Sequence, residues 1–122
     1  MSLEHTYLLD SEGLSRAARG ERVLGAQLRY ARRRGFRVIT TSMTLIEAYD
    51  MKASHAAWRW TLSRIHVEPV TEDIAHEAIA LLREVGLHGH KYAIDSVLAV
   101  IAKRQTGPVT VFTSDRDDMD LL

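Results

Sequence analysis

The stretch Thr6-Tyr-Leu-Leu-Asp10 decides the fold, because a short run of strand-forming residues ends there at a carboxylate. A second stretch, Val109-Thr-Val-Phe-Thr113, is the clearest strand in the sequence and also leads into acidic residues. Strand-like and helix-like segments alternate between the two. This alternation is typical of crossover connections, so the sequence predicts an α/β fold with a mostly parallel sheet covered by helices.

The intervening segments carry ordinary start and stop signals. Gly35 is expected to end a helix, Ser42 and Thr71 are expected to cap two others, and Pro69 marks an edge strand. We expect helices over 14–18, 21–34, 43–47, 53–62, 72–85 and 92–104, and strands over 37–40 and 65–70.

The composition is typical of one globular domain. The 122 residues are 46% apolar and 26% charged, with no repeat or linker, so we expect 1–122 to form a single domain. No apolar run approaches the roughly 20 residues that cross a bilayer. The N-terminal segment lacks the features of a secretory signal, and cysteine is absent. We therefore expect a cytoplasmic protein without membrane contact.

The charges are segregated although the net charge is zero. Residues 13–37 contain eight arginines against Glu21 alone, whereas 109–122 contain four aspartates against Arg116 alone. Arginine presents a planar fork that suits phosphate, which makes nucleic acid a candidate partner. A solvated helix face is the alternative interpretation of the basic segment.

Several acids occur at strand ends or in apolar surroundings. Asp10 and Asp115 each follow a predicted strand, and the carboxyl ends of parallel strands meet at one edge of a sheet. Asp95 lies in an almost wholly apolar segment and Glu47 among bulky apolar residues, where an unpaired carboxylate is costly. A helix N-terminus or an ion pair with arginine would explain either one alone. Together the acids predict a carboxylate cluster that binds Mg²⁺ or Mn²⁺ and hydrolyses phosphodiesters.

Four motifs follow one another along residues 6–122. They are Leu-Leu-Asp10, Leu-Ile-Glu47, Tyr-Ala-Ile-Asp95-Ser-Val-Leu-Ala and Thr113-Ser-Asp-Arg-Asp-Asp118-Met. In this order they resemble the PIN-domain ribonucleases, and more narrowly the VapC-type toxins of bacterial toxin–antitoxin pairs. The resemblance implies a three-layer α/β/α sandwich and Mg²⁺- or Mn²⁺-dependent cleavage of single-stranded RNA. It also implies a homodimer and a small VapB-like antitoxin that can insert an arginine among the carboxylates.

The resemblance also assigns roles by position. Asp10 and Asp95 match the direct metal ligands, and Glu47, Asp115 and Asp118 would complete the catalytic set, partly through water. Asp117 lies between Asp115 and Asp118 in the sequence, so which of these three acids matters most stays open.

The sequence departs from the family directly after the first acid. The family usually has a small polar pair there, whereas this chain has Ser11-Glu12, which adds a charge near the predicted site.

Candidates for RNA contact come from the basic helix and from loops near the acids. Arginines that contact phosphates give affinity without sequence preference. Nucleic-acid bases can stack on the aromatic rings of residues such as Trp58 and Trp60. The spacing of Trp58 and Leu62 is instead typical of two core residues on one helix face. The candidates are Ser11, Arg32, Arg33, His90, Lys91 and Ser114.

Two other functions remain open at this stage. One is a PIN-type nuclease in RNA processing that has no antitoxin. The other is a non-catalytic module whose acids anchor a basic partner arm. The RNA target, the number of metal ions and the identity of an antitoxin do not follow from the sequence.

Overall fold

The computed structural model describes residues 4–49 and 53–113. The strands are β1 (Thr6–Leu9), β2 (Arg37–Thr41), β3 (His66–Glu68) and β4 (Val109–Phe112). The helices are α1 (Ser11–Ala18), α2 (Arg22–Arg34), α3 (Ser42–Ala48), α4 (His55–Ser63), α5 (Glu72–Val85) and α6 (Gly89–Arg104).

The strands form one parallel sheet in the order β3-β2-β1-β4. In the register of β1 and β4, Thr6 lies opposite Val109 and Leu9 lies opposite Phe112. The predicted α/β fold with a parallel sheet is therefore confirmed. The strand before Pro69 also lies at an edge of the sheet, as that proline predicts.

Two adjacent leucines in β1 divide the core into two layers. Leu8 and Leu9 are both 0% exposed, and successive strand residues point to opposite faces. Leu8 belongs to a cluster with residues of α5 and α6, including Ile74 and Leu98. Leu9 packs in a cluster supplied by α1 to α4, which includes Leu14. Helices therefore cover both faces, and the fold is a three-layer α/β/α sandwich.

The helix caps follow the sequence signals with one exception. Thr71 caps α5 by accepting a hydrogen bond from the Ile74 amide at 3.3 Å, as predicted. The prediction for α3 is wrong by one residue, because Thr41 rather than Ser42 is the cap and accepts from the Thr44 amide at 3.0 Å. Ser42 is the first helical residue, and its hydroxyl accepts instead from the Val70 amide at 3.2 Å.

Two helices begin three residues earlier than predicted. Helix α1 starts at Ser11 because Asp10 acts as its N-cap. Helix α6 starts at Gly89 but has a kink at Tyr92, the predicted first residue, where φ is −113° and ψ is 16°. None of the described helices combines the length and the apolar character that crossing a membrane requires.

An ion pair links α5 and α6 on the protein surface. Arg104 Nη2 lies 2.9 Å from Glu77 Oε1, and Arg104 Nε donates to Glu77 Oε2 at 3.0 Å. The hydrogen bond from Arg104 lowers the pKa of Glu77 below its ordinary value. Both side chains are exposed, so this pair adds little to stability.

Removal of the Leu8 side chain tests the layered core. We expect Leu8→Ala to lower the free energy of unfolding by about 2–5 kcal/mol, because the truncation leaves a cavity between sheet and helices. Val23→Ala, at a position 66% exposed, is the matched control and should cost less than about 0.5 kcal/mol. Urea denaturation measures both, and equal losses would contradict this description of the core.

Candidate active site at the carboxyl edge of the sheet

Asp10 lies at the carboxyl end of β1 and is only 5% exposed. Its amide donates to the Phe112 carbonyl at 3.1 Å, which joins it to the end of β4. Its Oδ1 accepts a hydrogen bond from the Gly13 amide at 2.8 Å, which caps α1. Two backbone amides, its own and that of Gly13, therefore fix both the position and the orientation of this carboxylate.

A buried threonine supports the backbone that carries Asp10. The Thr40 hydroxyl donates to the Leu9 carbonyl at 2.8 Å, and Thr40 is 0% exposed. This bond ties β2 to the residue directly before Asp10. A buried carbonyl without a hydrogen-bond partner raises the free energy of the folded state. The Thr40 hydroxyl therefore stabilises the arrangement of β1 and β2.

Asp95 lies in the first half of α6. The end of α6 is fixed at the opposite, amino edge, where Arg37 Nη1 donates to Gln105 Oε1 at 3.0 Å. Asp95 precedes the last residue of α6 by nine positions, or about 14 Å along the helix axis. A four-residue strand such as β1 spans roughly 13 Å, a similar length, which supports the prediction that Asp95 lies toward the carboxyl edge. The residue is half-buried.

Glu47 has surroundings different from those predicted. Its apolar neighbours in the sequence indicated a shielded position, but Glu47 is exposed and the adjacent Ile46 is 79% exposed. The buried side of α3 consists of Thr44 and Ala48 instead. That indication is wrong because a helix as short as α3 buries only one narrow side. A catalytic role for Glu47 stays a prediction.

The remaining predicted acids lie outside the described residues. Asp115, Asp118 and the neighbouring Asp117 follow Thr113, the last described residue, and so does the candidate RNA contact Ser114. Because Leu9 lies opposite Phe112, the chain leaves β4 level with Asp10. The roles of these four residues stay predictions.

Among residues 4–49 and 53–113, no three His, Cys, Asp or Glu side chains are grouped as metal ligands. The described part of the predicted set consists of the buried Asp10, the half-buried Asp95 and the exposed Glu47. Carboxylate oxygens suit a hard cation such as Mg²⁺, which also retains several waters. The donor chemistry therefore fits the predicted ion, and the other predicted ligands, Asp115 and Asp118, lie outside the described residues.

Glu12, the departure from the family pattern, is engaged in ion pairs. Arg16 Nε lies 3.0 Å from Glu12 Oε1 and 3.2 Å from Glu21 Oε2, and Arg19 Nη2 lies 3.9 Å from Glu12 Oε1. The spacing of four residues between Glu12 and Arg16 was the signal for this pair. The extra charge beside Asp10 is therefore offset within the same part of the chain.

The candidate RNA contacts fall into two separate regions. Ser11 is the first residue of α1 and adjoins Asp10, while His90 and Lys91 are exposed in the first turn of α6. Arg32 and Arg33 lie in the last turn of α2, which leads into the amino end of β2. These two arginines are therefore near the opposite edge of the sheet from Asp10.

A groove between α2 and α4 is a feature that the sequence only hinted at. Its volume is about 780 Å³. Trp60 lines it and is 60% exposed, with the Arg64 guanidinium 4.6 Å from the ring centroid. Trp58, in contrast, packs in the core cluster of Leu9, as its spacing from Leu62 predicted. The groove is also lined by Leu28, Val38 and Ile65 and by Arg22, Arg29 and Arg32.

Comparison with solved structures gives a match over most of the chain. No protein-family model matches the chain, and the search of curated proteins found no match. The chain is similar to a chain in the crystal structure of VapBC2 from Rickettsia felis bound to a DNA fragment from their promoter, with a TM-score of 0.58. The fold is shared. The alignment covers 88% of this chain and 99% of that chain at 14% identity, so the likeness concerns the fold alone.

Two substitutions of Asp10 separate its structural role from its charge. Asn caps a helix about as well as Asp, so Asp10→Asn should change the free energy of unfolding by less than about 0.5 kcal/mol without divalent ions. Asp10→Ala removes the cap and should cost about 0.5–2 kcal/mol. Urea denaturation in EDTA measures both variants. Equal destabilisation by the two would contradict the capping role.

Proposed function

We propose that this protein is a metal-dependent endoribonuclease of the PIN-domain type and the toxin of a toxin–antitoxin pair. The observation that carries the proposal is the position of Asp10, a buried and oriented carboxylate at the end of β1, beside the end of β4. The strand β4 continues into the sequence with four aspartates. The similarity in fold to a chain of a VapBC2 complex supports the same assignment.

The residues that would hold Mg²⁺ or Mn²⁺ are Asp10 and Asp95, with Glu47, Asp115 and Asp118 completing the set, partly through water. When bound, such an ion lowers the pKa of a coordinated water and offsets negative charge at the phosphate. The protein's own contribution is orientation, because the Gly13 amide and the burial of Asp10 restrict the carboxylate. Ser11, His90 and Lys91 are the described candidates for phosphate contacts near this edge.

We also propose that the groove between α2 and α4 binds the antitoxin. Its apolar lining comprises Leu28, Val38 and Ile65, and the arginines along it are Arg22, Arg29, Arg32 and Arg64. Among the described residues that line the groove, Glu21 is the one acid. A helix with apolar residues on one face and acids on its flanks complements such a groove, since the face is buried and the acids meet arginine. The RNA would therefore contact the carboxyl edge of the sheet, and the partner would contact the α2–α4 face.

A homodimer, also implied by the resemblance, remains part of the proposal. Its subunit contact would cover exposed apolar side chains such as Ile46 on α3 or Ile79 on α5, which are 79% and 53% exposed.

A cleavage assay tests the enzymatic part of the proposal. We expect cleavage of a mixed single-stranded RNA pool with Mg²⁺ or Mn²⁺ in the buffer and none in EDTA. Asp10→Asn and Asp95→Asn should each reduce the rate at least about 100-fold, because each removes a charged metal ligand. Asp73→Asn, an exposed acid on α5, is the control and should cleave like the wild type.

Two results would contradict the nuclease assignment. One is an RNA pool left intact with either ion, and the other is equal cleavage by wild type and Asp10→Asn. The first result, together with partner binding, would favour the non-catalytic module. Cleavage by a protein that arrests no growth and binds no small partner would favour an RNA-processing nuclease.

The antitoxin proposal is tested at Trp60, using the protein encoded by an adjacent small reading frame as the probe. Trp60→Ala should weaken its binding at least about 30-fold, because exposed aromatic side chains often dominate the affinity of such contacts. Val85→Ala, on α5, is the control and should leave the affinity unchanged. Calorimetry measures both, and binding that is insensitive to Trp60→Ala would locate the partner elsewhere.

A further inference from the structure

The carboxyl end of α2 presents a basic surface outside the groove between α2 and α4. Residues 22–46 contain six arginines and no acid. Two of these arginines, Arg33 and Arg34, are exposed in the last turn of α2, and neither lines the groove. Neither guanidinium lies within ion-pair distance of a carboxylate among residues 4–49 and 53–113. Within that part of the chain, their positive charges are therefore not neutralised by acids.

Aromatic side chains lie beside these two arginines. Tyr30 is 42% exposed, and Arg34 Cζ lies over its ring at 5.8 Å from the centroid. The ring of Tyr30 meets that of Phe36 edge-on, with 5.9 Å between the centroids. Phe36 in turn stacks on His5, with 4.7 Å between the centroids. Because Phe36 and His5 precede β2 and β1, these contacts hold the Tyr30 ring near the amino edge of the sheet while much of it stays exposed.

This combination of charge and exposed ring suits single-stranded nucleic acid. Arginine presents a planar fork that binds phosphate oxygens. The unstacked bases of a single strand stack on aromatic rings and on guanidinium planes, and Tyr30 with Arg34 offers both. The bases of a duplex are already stacked on one another, so a duplex would leave the Tyr30 ring without a contact.

Two other roles account for only part of this surface. Arginines in the last turn of a helix interact favourably with the helix dipole, but this effect does not involve the Tyr30 ring. An acidic peptide would pair with Arg33 and Arg34 through carboxylates, which make no use of the ring either. A ligand that combines phosphates with flat bases uses both the charges and the ring.

We infer that Tyr30, Arg33 and Arg34 form a second contact surface for single-stranded RNA near the amino edge of the sheet. The choice of RNA rests on the proposed nuclease function, whereas the binding itself requires neither a metal ion nor Asp10. Asp10 lies at the opposite, carboxyl edge, and the 13 residues of α2 extend over about 20 Å. An RNA strand held at this surface therefore gains affinity from contacts that take no part in cleavage.

Fluorescence anisotropy of a labelled single-stranded RNA of about 15 nucleotides measures the affinity, in EDTA so that the proposed cleavage does not occur. We expect Arg33→Ala/Arg34→Ala to bind at least about 10-fold more weakly than the wild type. The slope of log affinity against log salt concentration should become shallower by about 1.4, because each phosphate contact of a single strand contributes about 0.7. The matched control, Arg59→Ala/Lys103→Ala, removes two exposed cations from α4 and α6 and should bind RNA like the wild type.

Substitutions of Tyr30 separate stacking from charge. Tyr30→Ala should weaken RNA binding about 10-fold, because a base loses its stacking partner. Its salt dependence should stay that of the wild type, since no phosphate contact is lost. Tyr30→Phe retains the ring and should bind RNA like the wild type. Urea denaturation checks the fold, and these exposed positions should change the midpoint little.

Four results would overturn the inference. One is an equal loss of affinity in the two double variants, which would indicate a response to net charge alone. Another is a loss in Tyr30→Phe as large as that in Tyr30→Ala. A third is a fall in the urea midpoint that accounts for the lost affinity, since the residues would then serve the fold. The fourth is unchanged RNA binding by Arg33→Ala/Arg34→Ala with loss of the small partner protein, which would assign the surface to an acidic protein.

Failure of this inference and failure of the proposed function give different results. A wild type that cleaves RNA with Mg²⁺, and whose RNA affinity is insensitive to all these substitutions, would overturn the inference and leave the nuclease proposal intact. A wild type that binds RNA through this surface in EDTA but cleaves none with either ion would support the inference and contradict the nuclease proposal.

Discussion

The parallel pairing of β1 with β4 is the constraint on which the candidate site depends. It places Leu9 opposite Phe112, so that the residue after β1 and the segment after β4 begin at one edge of the sheet. The Asp10 amide extends the pairing by one more hydrogen bond to Phe112. Without this register, Asp10 and the segment that carries Asp115 would begin at different places on the sheet.

The site and the basic surface occupy different parts of the molecule. Asp10 lies at the carboxyl edge, whereas Arg32 and Arg33 end α2 near the amino edge. A zero net charge thus results from separated acidic and basic regions. Under the proposed function, one face would bind a polyanion through a metal ion and another would bind an acidic protein partner.

Much of the fold was predictable from the sequence because it depends on local patterns. The strand-forming runs ending at Asp10 and Thr113, with helical segments between them, indicated a parallel sheet, which the structure confirms. The adjacent Leu8 and Leu9 divide the core between two faces, as alternation in a strand requires. The cap at Thr71 was equally local, because one suitable side chain preceded a helical pattern.

Other features depend on tertiary contacts and could not be predicted. Thr41 and Ser42 are both good caps, and the pairing of β2 up to Thr41 decides between them. Glu47 has apolar neighbours in sequence but faces outward, because packing on α1 selects another side of α3. The resemblance predicted Asp10 as a metal ligand, which stays a prediction. Its role as a helix cap was not predicted, since only the course of the chain after β1 reveals that bond.

The gathering of carboxylates at one edge is tested most directly by nuclear magnetic resonance of the ¹⁵N-labelled protein titrated with Mn²⁺. Bound Mn²⁺ broadens the signals of nearby amides. The account predicts early, selective broadening at Asp10, Gly13, Asp95 and Thr113, while the amides of Glu77 and Arg104 stay sharp. Broadening centred elsewhere, or spread evenly over the surface, would contradict a metal site at this edge of the sheet.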